Sequence, residues 1–115
     1  MDVLQELYET VLSRKEAQVE GSYTCYLFEK GTDKILKKCG EECSEVIIAA
    51  KNKKNPETVG EISDLLYHLM VLMVNEGIPF NEVEAELARR SEKTGNLKQF
   101  HQAVSYTHLE PTRPL

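Results

Sequence analysis

The sequence has no tryptophan, only three cysteines and only four prolines among its 115 residues. Three cysteines cannot build the disulfide framework of a small secreted domain, so we expect a reducing, cytoplasmic environment. The longest apolar stretch, 65–74, contains His68 and is too short to cross a membrane. The first residues are acidic and amphipathic, unlike a secretory signal, which favours the same environment.

Positive charge is also scarce. Fourteen lysines and arginines face nineteen acidic residues, for a net charge of −5. This balance argues against nucleic acid or an acidic membrane as a partner. It leaves an anionic small substrate open, because a bound divalent metal ion reverses the local sign. A chain of this length has room for one domain with a modest core, which a partner subunit would help to cover.

Helical spacing and punctuation predict an all-α fold of four helices. The predicted helices cover about residues 2–19, 32–51, 55–76 and 79–93, with Pro56 opening the third and Gly77 ending it. Residues 22–30 are rich in aromatics and are predicted to form a packed loop. The predicted domain is 1–103, and the proline-containing tail 104–115 is predicted to be disordered.

The third predicted helix is apolar on almost every side between 65 and 74. Four short helices can hardly cover such a helix completely. We therefore predict a homodimer that packs two of these helices together. The alternative is a helix buried at the centre of a monomer.

Acidic residues recur at a three-residue spacing in two predicted helices. Glu42 and Glu45 are three apart in the second helix, as are Glu61 and Asp64 in the third. Residues three apart share a helix face, so each pair projects from one side of its helix. The short connection at 52–55 predicts that the two helices form an antiparallel hairpin.

The predicted hairpin brings the two acidic pairs together. Residues at one height of such a hairpin have a constant sum of residue numbers, which sets Glu45 level with Glu61 and Glu42 level with Asp64. The two levels are about 4.5 Å apart. Four carboxylates in one small volume repel unless they are protonated or a hard divalent cation neutralises them. Of these two, we predict the cation, at a Mg²⁺ site that would also accept Mn²⁺. The alternative is a solvated acidic face.

Further polar residues continue this face. The same register sets Lys38 opposite His68, with Lys34 one turn further along. The two lysines either hold the polyphosphate of a substrate or lie on a solvated face, and both interpretations stay open. For His68 we favour a hydrogen-bonded place in the core. Glu41 is rotated away from Glu42, which favours solvent exposure.

These residues belong to a longer similarity. Glu-Glu-x-x-Glu at 41–45 followed by Glu-x-x-Asp at 61–64 resembles the signature of the MazG-type all-α nucleotide pyrophosphatases. More narrowly, the runs 21–24, 27–31 and 33–42, together with 47–51 and 64–68, resemble the phosphoribosyl-ATP pyrophosphatase family. The similarity spans about residues 3–95.

The resemblance implies a four-helix bundle of the MazG-like type, completed by dimerisation, that hydrolyses phosphoribosyl-ATP to phosphoribosyl-AMP and pyrophosphate in histidine biosynthesis. It implies that magnesium is held by Glu42, Glu45, Glu61 and Asp64. In metal-assisted hydrolysis, Glu41 or Glu45 would accept the proton of the attacking water. The expected substrate-binding residues are Ser22, Thr24, Lys34, Lys38, Arg89 and Arg90.

Other functions fit the same acidic pattern. A housekeeping pyrophosphatase for deoxynucleotides would share the acidic residues but not the run 22–42. A non-catalytic helical dimerisation module with an acidic groove is the alternative outside enzymes. A di-iron carboxylate protein is disfavoured, because that chemistry needs Glu-x-x-His pairs and neither helix of the hairpin has one.

Overall fold

In the computed structural model, which describes residues 2–94, the chain folds into helices with no strand in that range. The five helices are α1 (Val3–Glu16), α2 (Tyr23–Lys30), α3 (Thr32–Lys51), α4 (Asn55–Glu76) and α5 (Phe80–Thr94). The prediction of an all-α fold is confirmed. The predicted disordered tail 104–115 lies outside the described residues, as does the end of the predicted domain 1–103.

The boundaries of α3 and α4 agree with the sequence signals. Pro56 lies in the first turn of α4, and Gly77 ends it in the left-handed conformation with φ of 72°. Gly31 occupies the N-cap of α3 without a side-chain hydrogen bond. None of the helices within residues 2–94 combines the length and apolar character that crossing a membrane requires.

The prediction of a loop at 22–30 is wrong, because residues Tyr23–Lys30 form α2. Ser22 starts this helix by accepting a hydrogen bond from the backbone N–H of Cys25 at 3.1 Å. Gly31, with φ of 93°, ends it. Leu27 is fully buried, so tertiary packing stabilises a helix whose own residues are mediocre helix formers.

The core of the first four helices is small and apolar. Its most buried side chains come from each of the four helices and include Val11, Leu27, Ile35 and Val71. The segment after α4 is attached to α1 through Tyr8, whose hydroxyl donates to the carbonyl oxygen of Ile78 at 2.9 Å. The short helices are thus held by shared burial rather than by their own propensity.

The antiparallel hairpin of α3 and α4 is confirmed. Near its open end, Asn75 Nδ2 donates to Thr32 Oγ1 at 2.9 Å. Midway, the thiol of Cys39 lies 3.6 Å from the carbonyl oxygen of His68. These contacts agree with the predicted register to within one residue, and they fix the height at which the acidic residues of the two helices meet.

The chain divides into two compact units, Met1–Phe80 and Asn81–Leu115. The first unit contains α1 to α4, and therefore the whole hairpin. The described part of the second unit is α5 from residue 81 onward, where Leu87 is 44% exposed.

One side of α4 is apolar and exposed. Val59, Ile62 and Leu66 are 64%, 43% and 38% exposed, and their spacing places them on one face of the helix. We call these three residues the apolar stripe. Further along α4, His68, Met70, Val71 and Val74 are buried within the chain. The chain by itself thus covers only part of this mainly apolar helix.

Candidate active site

Three carboxylates converge on the hairpin. Glu42 and Glu45 on α3 and Glu61 on α4 each offer an oxygen atom, and the three oxygens lie within 4.8 Å of one another. We call these residues the acidic cluster. Glu42 is only 7% exposed, Glu61 is half-buried and Glu45 is exposed. The cluster therefore opens to solvent on the side of Glu45.

The electrostatics of the acidic cluster are unfavourable without a cation. Burial raises the pKa of Glu42, and the neighbouring Glu45 raises it further. The pKa of Glu61 is raised to about 6, first by its hydrogen bond with the carboxyl of Glu45 and then by burial. Within residues 2–94, Glu42 Oε2 and Glu61 Oε2 are buried without a hydrogen-bond partner. Buried acceptor oxygens at this spacing fit a hard divalent cation.

Asp64 lies close to the acidic cluster but is not among the three residues within 4.8 Å. Its charge raises the pKa values of both Glu42 and Glu61. It shares with Glu45 and Glu61 the wall of a cleft of about 600 Å³.

Lys38 partly compensates the negative charge of the acidic cluster. Its ammonium nitrogen lies 3.4 Å from a carboxylate oxygen of Glu41 and 4.0 Å from one of Glu42. Glu41 is exposed, as its rotation from Glu42 predicts. Lys34 lies above the ring of Tyr26, with its ammonium 6.0 Å from the ring centroid. A line of positive charge on α3 thus leads up to the acidic cluster.

The predicted place of His68 in the core is confirmed, since its side chain is 4% exposed and both ring nitrogens have partners. One of these partners, Tyr23 on α2, was missed by the sequence analysis. The sequence did show an aromatic segment beside a predicted core histidine. A loop predicted at 22–30 does not define where its side chains point, however, whereas the helix that forms there does.

Two predicted substrate-binding hydroxyls have partners inside the chain. Ser22 caps α2, as described above. The hydroxyl of Thr24 hydrogen-bonds with that of Tyr67 on α4, in a half-buried position. Contact of Ser22 and Thr24 with a substrate therefore stays a prediction.

Arg89 and Arg90 lie on α5, in the second unit. Both donate to the carboxylate of Glu86, with Arg90 Nε at 2.8 Å. These hydrogen bonds, that of Arg89 first, lower the pKa of Glu86 to about 2. The contacts described for the two arginines are thus with their own helix, and a substrate-binding role for them stays a prediction.

Comparison with known proteins gives consistent results. The family model described as "Phosphoribosyl-ATP pyrophosphohydrolase" matches residues 4–91. The phosphoribosyl-ATP pyrophosphatase of Clostridium novyi is 51% identical over 98 residues, which are 85% of this chain and 89% of that protein. The corresponding protein of Listeria welshimeri is 57% identical over 91 residues, covering 79% and 87%.

A longer protein contains a similar region. The histidine biosynthesis bifunctional protein HisIE of Caldanaerobacter subterraneus is 57% identical over 93 residues. These residues are 81% of this chain but only 45% of that protein. The acidic cluster, the cleft and the lysines of α3 all lie within the matched family region.

Proposed function

The chain belongs to the phosphoribosyl-ATP pyrophosphohydrolase family, and we infer that it hydrolyses phosphoribosyl-ATP to phosphoribosyl-AMP and pyrophosphate, a step of histidine biosynthesis. The structural observation that carries this function is the convergence of Glu42, Glu45 and Glu61 on one open site. Such a site can hold a divalent cation, and a cation allows the phosphates of a triphosphate to approach acidic side chains.

We propose that Mg²⁺ is the cofactor, held by the acidic cluster together with Asp64, and that Mn²⁺ can replace it. The two buried carboxylate oxygens that lack a hydrogen-bond partner within residues 2–94 support this choice. When bound, the metal ion would neutralise charge on the phosphates and make a coordinated water more acidic. It would also offset the repulsion among the carboxylates, which adds to the effect of burial on the pKa of Glu42 and to the effects of the Glu45 hydrogen bond and burial on that of Glu61.

The chain's own residues would accept the proton of the attacking water and bind the substrate. Glu45 is our first candidate for accepting the proton of the attacking water, because it is exposed and lines the cleft. Glu41 is the second candidate, although it is paired with Lys38. Lys38 and Lys34 would bind the phosphate groups, with Lys38 exchanging its glutamate partners for phosphate oxygens. Ser22, Thr24, Arg89 and Arg90 remain proposed substrate contacts.

A substrate panel tests the reaction. With Mg²⁺ present, pyrophosphate release is measured from phosphoribosyl-ATP, dATP and dCTP. We expect phosphoribosyl-ATP to be preferred by a large factor in kcat/KM. Equal rates on the deoxynucleotides would instead support a housekeeping pyrophosphatase, and no turnover of any of the three would support a non-catalytic dimerisation module.

Glu45→Gln tests the site, because it keeps the size of the side chain and removes its charge. We expect kcat to fall by about a hundredfold or more with the helical content unchanged. Glu9→Gln on α1 is the matched control, since Glu9 is exposed and lies outside the proposed site. Comparison with Glu41→Gln identifies which carboxylate accepts the proton. Full activity of Glu45→Gln would remove Glu45 from the mechanism.

We also propose that the active form is a cytoplasmic homodimer. The exposed apolar stripe of α4 supports the dimer, because a second copy packed on it would remove that surface from water. Ile47 and Ile48 on α3 are also exposed, at 63% and 59%, and would enlarge the surface. The three free cysteines are consistent with a reducing compartment.

A further inference from the structure

His68 is a buried polar residue with a defined tautomer. Its Nδ1 lies 2.7 Å from the backbone carbonyl oxygen of Asp64. A carbonyl oxygen only accepts, so Nδ1 must carry the hydrogen. In the neutral ring, Nε2 then accepts, and its partner at 3.1 Å is the hydroxyl of Tyr23. The backbone of the helix that carries Asp64 thereby determines where the imidazole points.

The ring of Tyr23 is fixed in orientation but open to solvent. It meets the imidazole of His68 edge-on, with centroids 5.8 Å apart and an interplanar angle of 78°. It stacks against Tyr26 and Tyr67 at centroid distances of 6.0 and 6.2 Å. Nevertheless, Tyr23 is 44% exposed. The chain therefore exposes part of an aromatic ring whose direction is set by a part-buried hydrogen bond.

This surface lies at the Lys38 end of the acidic cluster. Burial raises the pKa of Tyr23, the Lys38 ammonium opposes that rise, and the Glu42 carboxylate adds to it. Lys38 is also the ion-pair partner of Glu42. On the side of α4, the hydrogen-bond partner of Tyr23, His68, lies one helical turn from Asp64. Tyr23 is thus adjacent to both helices that supply the proposed metal ligands.

We propose that Tyr23 contacts the substrate through its exposed ring and that His68 is a positioning residue that holds this ring in place. The inference rests on the proposed function and extends it to the part of the substrate that is not phosphate. The purine base of phosphoribosyl-ATP offers a flat surface that stacks on a phenol ring. The phosphates would then extend toward Lys38 and the acidic cluster.

A pair of tyrosine variants tests the contact. Tyr23→Phe and Tyr8→Phe each remove one hydroxyl and the hydrogen bond that it makes to another part of the chain, and Tyr8 on α1 lies outside the proposed site. We expect Tyr23→Phe to raise KM about fivefold with kcat within about twofold, because the ring loses its anchor. Tyr8→Phe should leave KM within about twofold. Equal KM values in the two variants would overturn the proposal.

A pair of histidine variants tests the positioning role. The amide of Gln at 68 reaches about as far as Nε2 and can accept from Tyr23, whereas Asn reproduces only the Nδ1–H donor. We expect the KM of His68→Gln to stay close to the wild-type value. The KM of His68→Asn should rise about as far as that of Tyr23→Phe. Combining His68→Asn with Tyr23→Phe should raise KM no further than either change alone. Additive effects, or a Gln variant no better than Asn, would refute the coupling.

Measuring how the product binds distinguishes a failure of this inference from a failure of the proposed function. Affinity for phosphoribosyl-AMP is measured by calorimetry, which requires no turnover. If the wild type binds the product but does not hydrolyse phosphoribosyl-ATP, the proposed reaction fails, and a fivefold weaker Tyr23→Phe complex still supports the contact. If the wild type is active and Tyr23→Phe binds the product equally well, the inference alone fails. If the wild type does not bind the product, the inference fails, and pyrophosphate release from phosphoribosyl-ATP alone decides the proposed reaction.

Discussion

At a pH near 6 the carboxyl group of Glu61 is half protonated, because its pKa is raised to about 6 by the hydrogen bond with Glu45 and by burial. In the unfolded chain the same group has a pKa of about 4.3. Between these two values the folded state binds more protons than the unfolded state. Folding without a metal ion therefore takes up protons, and the stability of the metal-free protein depends on pH.

We predict that the melting temperature of the metal-free protein rises as the pH is lowered from 7.5 toward 5. The sign follows from the raised pKa, since protonation of Glu61 relieves its repulsion with Glu45 and Glu42. The measurement is a series of thermal melts in EDTA. Glu61→Gln should flatten the dependence, and saturating Mg²⁺ should raise the melting temperature most at the higher pH. A melting temperature that falls over this range would contradict the assignment.

The acidic residues were predictable because their chemistry follows from spacing alone. Glu42, Glu45 and Glu61 converge once two helices form a hairpin, and both the hairpin and its register could be read from the sequence. The contact between His68 and Tyr23 could not, since it joins residues 45 apart in the sequence. The direction of a side chain across such a distance depends on how the helices pack, which no local pattern specifies.

Among the helices, the sequence did not predict α2, whereas it predicted α4 with both of its ends. The eight residues of α2 include two tyrosines, a threonine, a cysteine and a phenylalanine, none of them a strong helix former. The helix exists because Ser22 caps it and because Leu27 is buried against its neighbours. In α4, by contrast, a proline and a glycine mark the two ends independently of packing.

Two glycines inside helices offer a matched pair for testing the cleft. Gly40 on α3 and Gly60 on α4 are both exposed, and a Cβ atom at either position would meet no described atom within 4 Å beyond its chain neighbours and the nearby backbone of its own helix. Glycine inside a helix costs about 1 kcal/mol relative to alanine. Gly60 lines the cleft beside Glu61 and Asp64, whereas Gly40 is not among the lining residues.

We predict that Gly40→Ala and Gly60→Ala each raise the melting temperature by about 4 °C or more. Only Gly60→Ala should also raise KM for phosphoribosyl-ATP, because its methyl group would enter the cleft. Thermal melts and steady-state kinetics on the same preparations provide the measurement. An unchanged KM in Gly60→Ala would mean that the substrate does not approach this side of α4.

The exposed apolar stripe is a surface that contacts within a single chain do not account for. Val59, Ile62 and Leu66 form a continuous face on the longest helix within residues 2–94. Three residues of the same stretch of α4, Gly60, Glu61 and Ser63, line the cleft. A second copy on the stripe would therefore lie close to the proposed site.

We predict that Val59→Asp weakens self-association by about tenfold or more, because a charge would be buried in the contact. Val3→Asp is the control, since Val3 is 77% exposed and, like Val59, lies near the N-terminal end of its helix. Sedimentation equilibrium over a range of concentrations measures both. A wild type that is monomeric at every concentration, or equal effects of the two variants, would rule out the stripe as the interface.

The hairpin also has a consequence for how the polypeptide acquires its native conformation. All four proposed metal ligands come from one continuous stretch between Glu42 and Asp64, joined by a tight turn at Lys53. Contacts between residues this close along the chain have a small loop-closure entropy and form rapidly. We expect the ligand set to assemble early during biosynthesis on the ribosome, as soon as α4 has emerged. The chemically essential part of the molecule is then among the first to reach its final geometry.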